Sequence, residues 1–467
     1  MRYVSTRGAA PVLGFEEVLL AGLAEDGGLY VPESWPRFSA EEIRSLAGLP
    51  YAELAARVMR PFIAGALTED EFARIVEDSY AGFRHEAVAP LIELDSNFWL
   101  LELFHGPTLA FKDYALQLVG RLFDLFLKRR GRHVTVIGAT SGDTGSAAIE
   151  ACRDKESIDI FILHPKGRVS EVQRRQMTTA ASPNVHNIAL HGTFDDCQDL
   201  VKAMFADASF RERMSLAAVN SINWARVMAQ TAYYFSAAVA LDAPARSVSF
   251  AVPTGNFGNV YAGYAAREMG LPIDSLVVAS NRNDILARFF ETGKLAVSEV
   301  VPTLSPSMDI QVSSNLERLL FELYQRDGSA VVELMGKFRR HGSVTLEPVP
   351  FRKACEIFTG FRLDDNGTLD TIADIHEHCG MLIDPHSAVG VAAGKARRDP
   401  KVPMVALATA HPAKFPDAVE KATGIRPELP AHLSDLMERK ERFTDLPNDA
   451  KAVKDFIARR MARKGAA

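Results

Sequence analysis

The stretch VSFAVPTGNFGN, residues 248–259, decides the fold of this chain. Its first half is a short apolar run typical of a buried strand, and its second half is a turn that contains Gly255 and Gly258 and opens a helix. Glycines let the backbone approach a ligand closely, and the first amides of a helix attract anions. The stretch therefore predicts a strand, an anion-binding loop and a helix, with a plain glycine turn as the alternative.

The same order of apolar strand, polar loop and helix recurs along the chain from about residue 133. Further strands are predicted at 134–137, 158–163, 185–190, 216–219, 276–279 and 402–408. Strands that alternate with helices are the signature of a parallel sheet with crossover helices. The predicted fold class is therefore α/β, built on parallel sheets.

The two ends of the chain lack this alternation. Residues 1–95 predict a mostly helical N-terminal domain, because apolar residues recur at helical spacing in four segments, 15–24, 40–46, 51–63 and 69–80. Residues 96–230 and 231–425 are assigned to a smaller and a larger α/β domain. Residues 426–467, which are richer in charge, are assigned to a helical C-terminal extension.

Composition limits the classes of protein that fit. The chain has 467 residues, 47% hydrophobic and 24% charged, which is enough for two or three domains with large cores. A net charge of -6 gives no general field for nucleic acid, and the longest uncharged run, 247–266, is too broken by proline, glycine and asparagine for a membrane span. The four cysteines lack metal-ligand spacing, so we expect reduced thiols, a cytoplasmic location and no metal site.

Two further loops follow predicted strands and carry polar groups suited to ligands. The loop ATSGDTGS, residues 139–146, combines hydroxyl groups with glycines and suits a carboxylate or a phosphate, although it matches neither the P-loop nor the GxGxxG pattern. The loop NSINWAR, residues 220–226, places amide, hydroxyl and guanidinium groups around one turn. The guanidinium of Arg226 suits a phosphate, but the same residues fit a helix N-cap followed by a surface arginine.

Lys112 has an unusual position within FHGPTLAFKD, residues 104–113. It lies in the first turn of a helix predicted to run to about residue 127, where the helix dipole opposes a positive charge, and its neighbours are apolar. Both effects favour the neutral amine, which bond formation with a carbonyl compound requires. A surface lysine on an amphipathic helix is the alternative.

Together these motifs resemble those of the threonine synthases, pyridoxal-phosphate enzymes of the tryptophan-synthase-like fold, fold type II. The resemblance includes YVSTRG at 3–8, DGGLYVP at 26–32 and LATAHPAKF at 407–415, and it covers most of the chain. It implies pyridoxal 5'-phosphate as cofactor and the conversion of O-phospho-L-homoserine and water to L-threonine and inorganic phosphate, by γ-elimination and β-addition of water. This is the last step of threonine biosynthesis. Neither nucleic acid nor a membrane is implied as a partner, and both monomer and dimer fit.

The resemblance implies roles for individual residues. Lys112 matches the lysine that bonds to the cofactor and then moves protons, and Thr409 matches the hydroxyl residue that faces the pyridine nitrogen. Asp143 stands where many relatives of this fold have an asparagine beside the phenolic oxygen of the cofactor, although aspartate is usual in the longer synthases. The residues matched to the cofactor phosphate are Gly255, Asn256, Phe257, Gly258 and Asn259. Those matched to the carboxylate and phosphate of the substrate are Ser141, Thr144, Asn220, Ser221 and Arg226.

Three other functions use comparable scaffolds. A phospho-lyase or dehydratase of the same fold releases a 2-keto acid instead of adding water. A noncatalytic metabolite-binding protein is disfavoured because Lys112 and all the loops are retained, and a nicotinamide dehydrogenase because GxGxxG is missing. If Arg226 does not hold the substrate phosphate, Lys166 and Arg168 are the next candidates.

Overall fold

A computed structural model describes residues 1–218 and 220–464; residues 219 and 465–467, which belong to two of the predicted domains, lie outside the described residues. None of the described helices is long and apolar enough to cross a membrane. The strands of the described residues are β1 Arg2–Ser5, β2 Leu13–Gly14, β3 Tyr30–Pro32, β4 Leu91–Asp95, β5 Phe98–Glu102, β6 Val134–Ala139, β7 Ile158–Pro165, β8 Val185–His191, β9 Leu216–Ala217, β10 Val248–Pro253, β11 Ile273–Ser280, β12 Lys294–Ala296, β13 Ser343–Thr345, β14 Phe358–Arg362, β15 Met404–Ala408 and β16 Thr444–Pro447.

Helices connect most of these strands. They are α1 Phe15–Ala21, α2 Ala40–Arg44, α3 Tyr51–Ile63, α4 Glu69–Tyr80, α5 Lys112–Arg129, α6 Asp143–Cys152, α7 Glu171–Thr178, α8 Phe194–Ala206, α9 Ala208–Arg213, α10 Trp224–Ala240, α11 Gly258–Glu268, α12 Ile285–Thr292, α13 Leu316–Leu323, α14 Gly328–His341, α15 Pro348–Cys355, α16 Asp365–Cys379, α17 Pro385–Arg397, α18 Pro416–Thr423 and α19 Ala450–Lys464.

The chain folds into two units, each with its own sheet. The first unit consists of Met1–Ala115 and Ser221–Pro427, and the second of Leu116–Asn220 with the segment that begins at Glu428. The boundaries predicted from the sequence differ. The boundary predicted after residue 230 falls within α10, and this helix belongs to the first unit over its whole length because it packs against α3 and α11.

The first unit is built on a six-stranded sheet in the order β14-β11-β10-β15-β5-β4. All neighbouring strands are parallel except β4 and β5. The central strand β10 is buried along its whole length, and a core that includes Ala251, Val277, Val389 and Ala406 surrounds it. The predicted α/β class and the strand of the opening stretch therefore both occur here.

The hairpin of β4 and β5 was not predicted, and it corrects the view that residues up to 95 form helices and loops. Leu91 pairs with Leu101 across it, and Asn97 in the turn has a left-handed backbone with φ of 54°. The polar Asp-Ser-Asn turn between two apolar runs is a hairpin signal that could have indicated it. The helices α3 and α4 have the predicted bounds, and a three-stranded sheet, β2-β1-β3, accompanies the N-terminal helices.

The second unit is built on a five-stranded parallel sheet in the order β16-β8-β7-β6-β9. Its core includes Ile137, Phe161, Leu163 and Ile188. The helical C-terminal extension was only partly right. Residues 444–447 form β16 at the edge of this sheet, where pairing with β8 satisfies backbone groups that would otherwise be exposed, and α19 follows.

Candidate active site

Three neighbouring strands of the first unit end at the same edge of the sheet. β5 leads to the segment that precedes Lys112, β15 ends immediately before Thr409, and β10 leads to the loop of residues 254–257. Because β5, β15 and β10 are adjacent and parallel, their carboxyl ends lie side by side. Ligands of open parallel sheets bind at such ends.

The segments that carry Lys112 and Thr409 pair directly with each other. Ala110 and Ala410 form an antiparallel bridge, N–H of Phe111 donates to the carbonyl of Thr409 at 2.9 Å, and N–H of His411 donates to the carbonyl of Leu109 at 3.0 Å. Lys112 is 9% exposed, which is not consistent with a surface lysine. The pairing brings together two residues that were assigned to opposite ends of the cofactor.

The turn before Lys112 is held by a buried polar network. Both carboxylate oxygens of Asp113 accept hydrogen bonds from Thr108, one from its N–H at 2.8 Å and one from its hydroxyl at 2.7 Å. Lys414 is fully buried and donates to the carbonyl of Thr108 at 2.7 Å. Leu109 has a left-handed backbone with φ of 62°, a conformation that is uncommon for a bulky residue. Asp113 and Lys414 lie inside the motifs 104–113 and 407–415, but no role was predicted for either of them.

Thr409 is positioned from a second side by the start of α17. Its N–H donates to the hydroxyl of Ser387 at 3.1 Å, and that hydroxyl donates to the carboxylate of Asp384. The other oxygen of Asp384 contacts Nδ1 of His386 at 2.6 Å, while Nε2 of His386 accepts from N–H of Ser307 at 3.2 Å. Since Nε2 accepts, the N–H that faces Asp384 is assigned to Nδ1. An aspartate followed by proline is a helix-start signal that could have drawn attention to this cluster.

The loop after β10 turns its carbonyl groups toward the protein. The carbonyl of Gly255 accepts from the hydroxyl of Ser313 at 2.8 Å, and the carbonyl of Asn256 accepts from N–H and Nδ2 of Asn315 at 3.2 and 3.0 Å. In a planar trans peptide the next N–H points the opposite way. The amide groups of Asn256 and Phe257, together with the first amides of α11, are therefore directed away from these carbonyl contacts, as an anion-binding loop requires.

Backbone strain and close packing also mark this loop. Phe257 has a left-handed backbone with φ of 63°, and its buried ring packs near Phe290 and Phe358 with centroid separations of 6.0 and 5.7 Å. A Cβ at Gly255 would lie 2.8 Å from the carbonyl oxygen of Ser307. Strained non-glycine residues persist where surrounding packing fixes them, and they cluster at ligand sites. The loop fits the phosphate of the predicted cofactor.

Asn259, in the first turn of α11, is held by two tyrosines. Its Oδ1 accepts from the hydroxyls of Tyr233 at 2.6 Å and Tyr234 at 2.9 Å, while its Nδ2 has no partner among the described residues. Burial raises the pKa of both tyrosines well above the usual range, so both remain donors. The tyrosines thus fix the orientation of Asn259 and leave its amide nitrogen for a ligand.

Arg226 is buried in the first turn of α10. The residue before the helix, Asn223, caps it by accepting from N–H of Ala225 at 3.0 Å, as one of the two alternatives predicted. The surface arginine of that alternative is wrong, because Arg226 is 3% exposed and its Nε and Nη1 have no hydrogen-bond partner among the described residues. Burial lowers the pKa of Arg226 to about 10. Unpaired buried donors of this kind favour the binding of an anion.

The glycine loop of the second unit, residues 139–146, differs from the loop after β10, because two of its own amides donate hydrogen bonds within the loop. N–H of Gly142 and N–H of Gly145 donate to the hydroxyl of Thr140 at 2.9 and 2.8 Å, so two amides of this loop are already used. Oδ1 of Asp143 accepts from Nε2 of Gln173 at 2.8 Å. The helix α6 begins at Asp143, inside the predicted loop 139–146, because Gly142 reaches a φ of 144° and allows the backbone to turn into the helix there. We therefore expect a ligand to bind to side chains of this loop rather than to the amides of Gly142 and Gly145.

The residues predicted from the sequence are thus divided between the two units. Those of the first unit are Lys112, Ser221, Arg226, Gly255, Asn256, Phe257, Gly258, Asn259 and Thr409. Those of the second unit are Ser141, Asp143, Thr144 and Asn220, at the ends of the paired strands β6 and β9.

Family models and known proteins match the whole architecture. Residues 2–80 match the model for the N terminus of threonine synthase, residues 387–457 that for its C-terminal part, and residues 83–337 that for pyridoxal-phosphate dependent enzymes. A threonine synthase from Pseudomonas aeruginosa is 59% identical over 460 residues, which cover 98% of each chain. The chain belongs to the threonine synthase family.

Solved structures of the family share its fold. A pyridoxal-phosphate-bound threonine synthase from Brucella melitensis is 53% identical, with a TM-score of 0.96 over 98% of this chain and 99% of the other. Threonine synthase from yeast is 40% identical, with a TM-score of 0.94 over 99% of both chains. The predicted family, the α/β fold of type II with a helical N-terminal region, the enzyme class and the pyridoxal phosphate cofactor are confirmed.

Proposed function

We propose that this protein converts O-phospho-L-homoserine and water into L-threonine and inorganic phosphate. Membership of the threonine synthase family supports the reaction. One structural observation carries the assignment of the site: a lysine, a hydroxyl residue and a glycine loop follow the adjacent strands β5, β15 and β10. Pyridoxal phosphate has a carbonyl, a ring nitrogen and a phosphate, one for each of these three features.

Different residues of the first unit bind different parts of the cofactor. Lys112 bonds to the cofactor, the hydroxyl of Thr409 faces its pyridine nitrogen, and the amides of the loop from Gly255 to Asn259 hold its phosphate. When bound, pyridoxal phosphate supplies a ring that withdraws electrons from the substrate. The hydroxyl of Thr409 is a weak acid, so it hydrogen-bonds to the ring nitrogen and does not protonate it.

Lys112 is also the residue that moves protons. Once its amine is free, it takes the proton from Cα of the substrate. A second proton is lost from Cβ, which allows the phosphate to leave from Cγ. Water then adds at Cβ, and protons return to Cγ and Cα, which gives threonine. The buried network of Asp113 and Thr108 holds the turn from which Lys112 reaches these atoms.

The remaining residues hold the two charged ends of the substrate. Arg226, whose Nε and Nη1 have no hydrogen-bond partner among the described residues, is assigned to the phosphate that leaves, since a dianion needs several donors. Ser141, Thr144, Asn220 and Ser221 supply further donors to the carboxylate and the phosphate. Asp143 is assigned to the neighbourhood of the phenolic oxygen of the cofactor, oriented by its hydrogen bond from Gln173.

A cytoplasmic location is part of the same proposal. All four cysteines are free, and two of them, Cys152 and Cys197, are buried. Burial raises the pKa of each of these two thiols to about 12, so both are inert, as structural thiols in a reducing compartment are.

The direct test is to incubate the purified protein with phosphohomoserine and to measure threonine and phosphate together. We expect equal amounts of both, and we expect Lys112→Ala to lose threonine formation and the visible absorbance of the bonded cofactor. Release of phosphate with a 2-keto acid and no threonine would instead identify a phospho-lyase. A borohydride-reducible adduct that persists in Lys112→Ala would show that another lysine bonds to the cofactor. Buried Lys414 would then be examined first.

A further inference from the structure

Two side chains at the start of α13, Asn315 and Arg318, contact both ligand-binding segments of the first unit. Nδ2 of Asn315 donates to the carbonyl of Asn256 at 3.0 Å and to the carbonyl of Ser221 at 3.2 Å. Nη2 of Arg318 donates to the carbonyl of Ile222 at 2.5 Å, and its Nη1 donates to Oδ1 of Asn315. This hydrogen-bonded pair joins the loop after β10 to the segment before α10.

The pair is buried, and capping of α13 does not explain it. Asn315 and Arg318 are both fully buried, and Nε of Arg318 donates to the carbonyl of Tyr30 at 3.0 Å. Asn315 is the residue before the helix, where asparagine often caps, but its side chain makes no capping hydrogen bond. Its two donated bonds go to the ligand-binding segments instead.

The carbonyl contacts determine where the neighbouring amides point. A planar trans peptide places its N–H opposite its carbonyl, so holding the carbonyl of Asn256 directs the N–H of Phe257 away from Asn315. In the same way, holding the carbonyls of Ser221 and Ile222 directs the amides that follow each of them. Asn315 and Arg318 therefore orient donors in both segments at once.

We propose that Asn315 and Arg318 are positioning residues that set the spacing between the cofactor-phosphate loop, 254–259, and the substrate-binding segment of the first unit, 221–226. The inference rests on the proposed function, which supplies the roles of these two segments. It assigns to Asn315 and Arg318 a joint effect on the affinity for pyridoxal phosphate and for substrate.

The two N-terminal motifs act on the same turn of α13. Glu317 accepts from the hydroxyl of Thr6 at 2.7 Å and forms an ion pair with Arg7 at 2.9 Å, both in the motif 3–8. Tyr30, whose carbonyl binds Arg318, belongs to the motif 26–32. Neither motif supplies a ligand-binding residue in the proposed site, and these contacts give both of them a function as supports of the positioning pair.

Asn315→Asp separates positioning from stability. Aspartate has the same shape, suits the position before a helix equally well and keeps the oxygen that faces Arg318. It replaces the amide donor by an oxygen that faces the carbonyls of Asn256 and Ser221. We expect the dissociation constant for pyridoxal phosphate to rise on the order of tenfold. Dialysis of the holoenzyme followed by retitration, monitored by visible absorbance, measures it.

The kinetic readout is the KM for phosphohomoserine at saturating pyridoxal phosphate. In Asn315→Asp we expect KM to rise more than kcat falls. The thermal midpoint should fall as well, because two buried carbonyls lose their donor, but that loss of stability alone would not change KM. A purely structural residue would lower the midpoint and the amount of folded enzyme without changing KM. Arg318→Lys keeps the charge but loses the planar fork, so we expect a change in the same direction.

Arg326→Lys is the matched control. Arg326 donates to the carbonyls of Pro32 and Glu33 at 3.0 and 2.6 Å and to Glu322, rather than to either ligand-binding segment. We expect parental values of both constants. Parental values in Asn315→Asp and Arg318→Lys, or an equal change in Arg326→Lys, would overturn the inference. A parent enzyme that forms no threonine would overturn the proposed function instead, and cofactor retention in the variants would still test the pair.

Discussion

Arg226 and Arg318 are both buried in the first unit, and their surroundings differ in one respect. Burial lowers the pKa of each guanidinium to about 10, so loss of contact with water disfavours the charge of both side chains to a similar degree. The donors of Arg318 reach the carbonyls of Tyr30 and Ile222 and the side chain of Asn315, whereas Nε and Nη1 of Arg226 have no partner among the described residues. We therefore interpret Arg318 as part of the fold, because its donors have acceptors there. We interpret Arg226 as the binding place of an anion.

The largest effect is expected from Arg226→Ala on kcat/KM for phosphohomoserine. Loss of one partner of a desolvated charge pair costs roughly 2–5 kcal/mol, so kcat/KM should fall by about a hundredfold or more. Arg226→Lys keeps the charge without the fork and should recover part of the loss. The visible absorbance of the bound cofactor should survive both changes. If Arg226→Ala kept the parental kcat/KM, Arg226 would not bind the substrate phosphate, and Lys166 or Arg168 would be assigned to it instead.

Matched methionine substitutions test the comparison through stability. Arg318→Met leaves the carbonyls of Tyr30 and Ile222 without their donor, and we expect the free energy of unfolding to fall by about 3 kcal/mol. Arg226→Met removes a buried charge whose Nε and Nη1 have no acceptor among the described residues, and we expect the free energy of unfolding to stay the same or to rise. Urea unfolding of the two variants beside the parent measures both values. Equal losses in the two variants would mean that Arg226 also has acceptors within the fold.

Stabilisation by inorganic phosphate against unfolding gives a second test of whether Arg226 binds an anion. For the pyridoxal-phosphate-loaded parent, phosphate at about a hundred times its dissociation constant should add about 2.7 kcal/mol to the free energy of unfolding. We expect little of this protection in Arg226→Met. Chloride at the same ionic strength is the control for screening. Full protection in Arg226→Met would place the phosphate away from this guanidinium.

The smallest effect is expected from Gly258→Ala, which tests how closely the region of Arg318 is packed. A Cβ at position 258 would lie 3.3 Å from Nδ2 of Asn315, so the asparagine must move by a few tenths of an ångström. A cost of about 1 kcal/mol corresponds to roughly fivefold weaker binding of pyridoxal phosphate. Titration of the protein with the cofactor measures this change. Gly258→Val should have a larger effect, and unchanged binding in both variants would contradict the assignment of this loop.

Local patterns predicted much of the fold because they need no knowledge of distant residues. The helix predicted at 51–63 has these bounds in the structure, and the strands predicted at 134–137 and 158–163 form the centre of the second sheet. The β4–β5 hairpin was missed although its turn carries a recognisable signal. The cluster of Asp384, His386 and Ser387 was missed because its meaning depends on contact with Thr409.

The sequence by itself determined the α/β class, the family motifs and the chemical groups that follow each strand, because strand, loop and helix signals act over neighbouring residues. The tertiary structure decided which of these groups meet. It paired the segment before Lys112 with the segment after Thr409. It also buried both arginines, leaving Nε and Nη1 of Arg226 without an acceptor among the described residues and giving Arg318 three acceptors. Burial and hydrogen bonding depend on which distant segments fold against a side chain, and the residue type alone does not determine this.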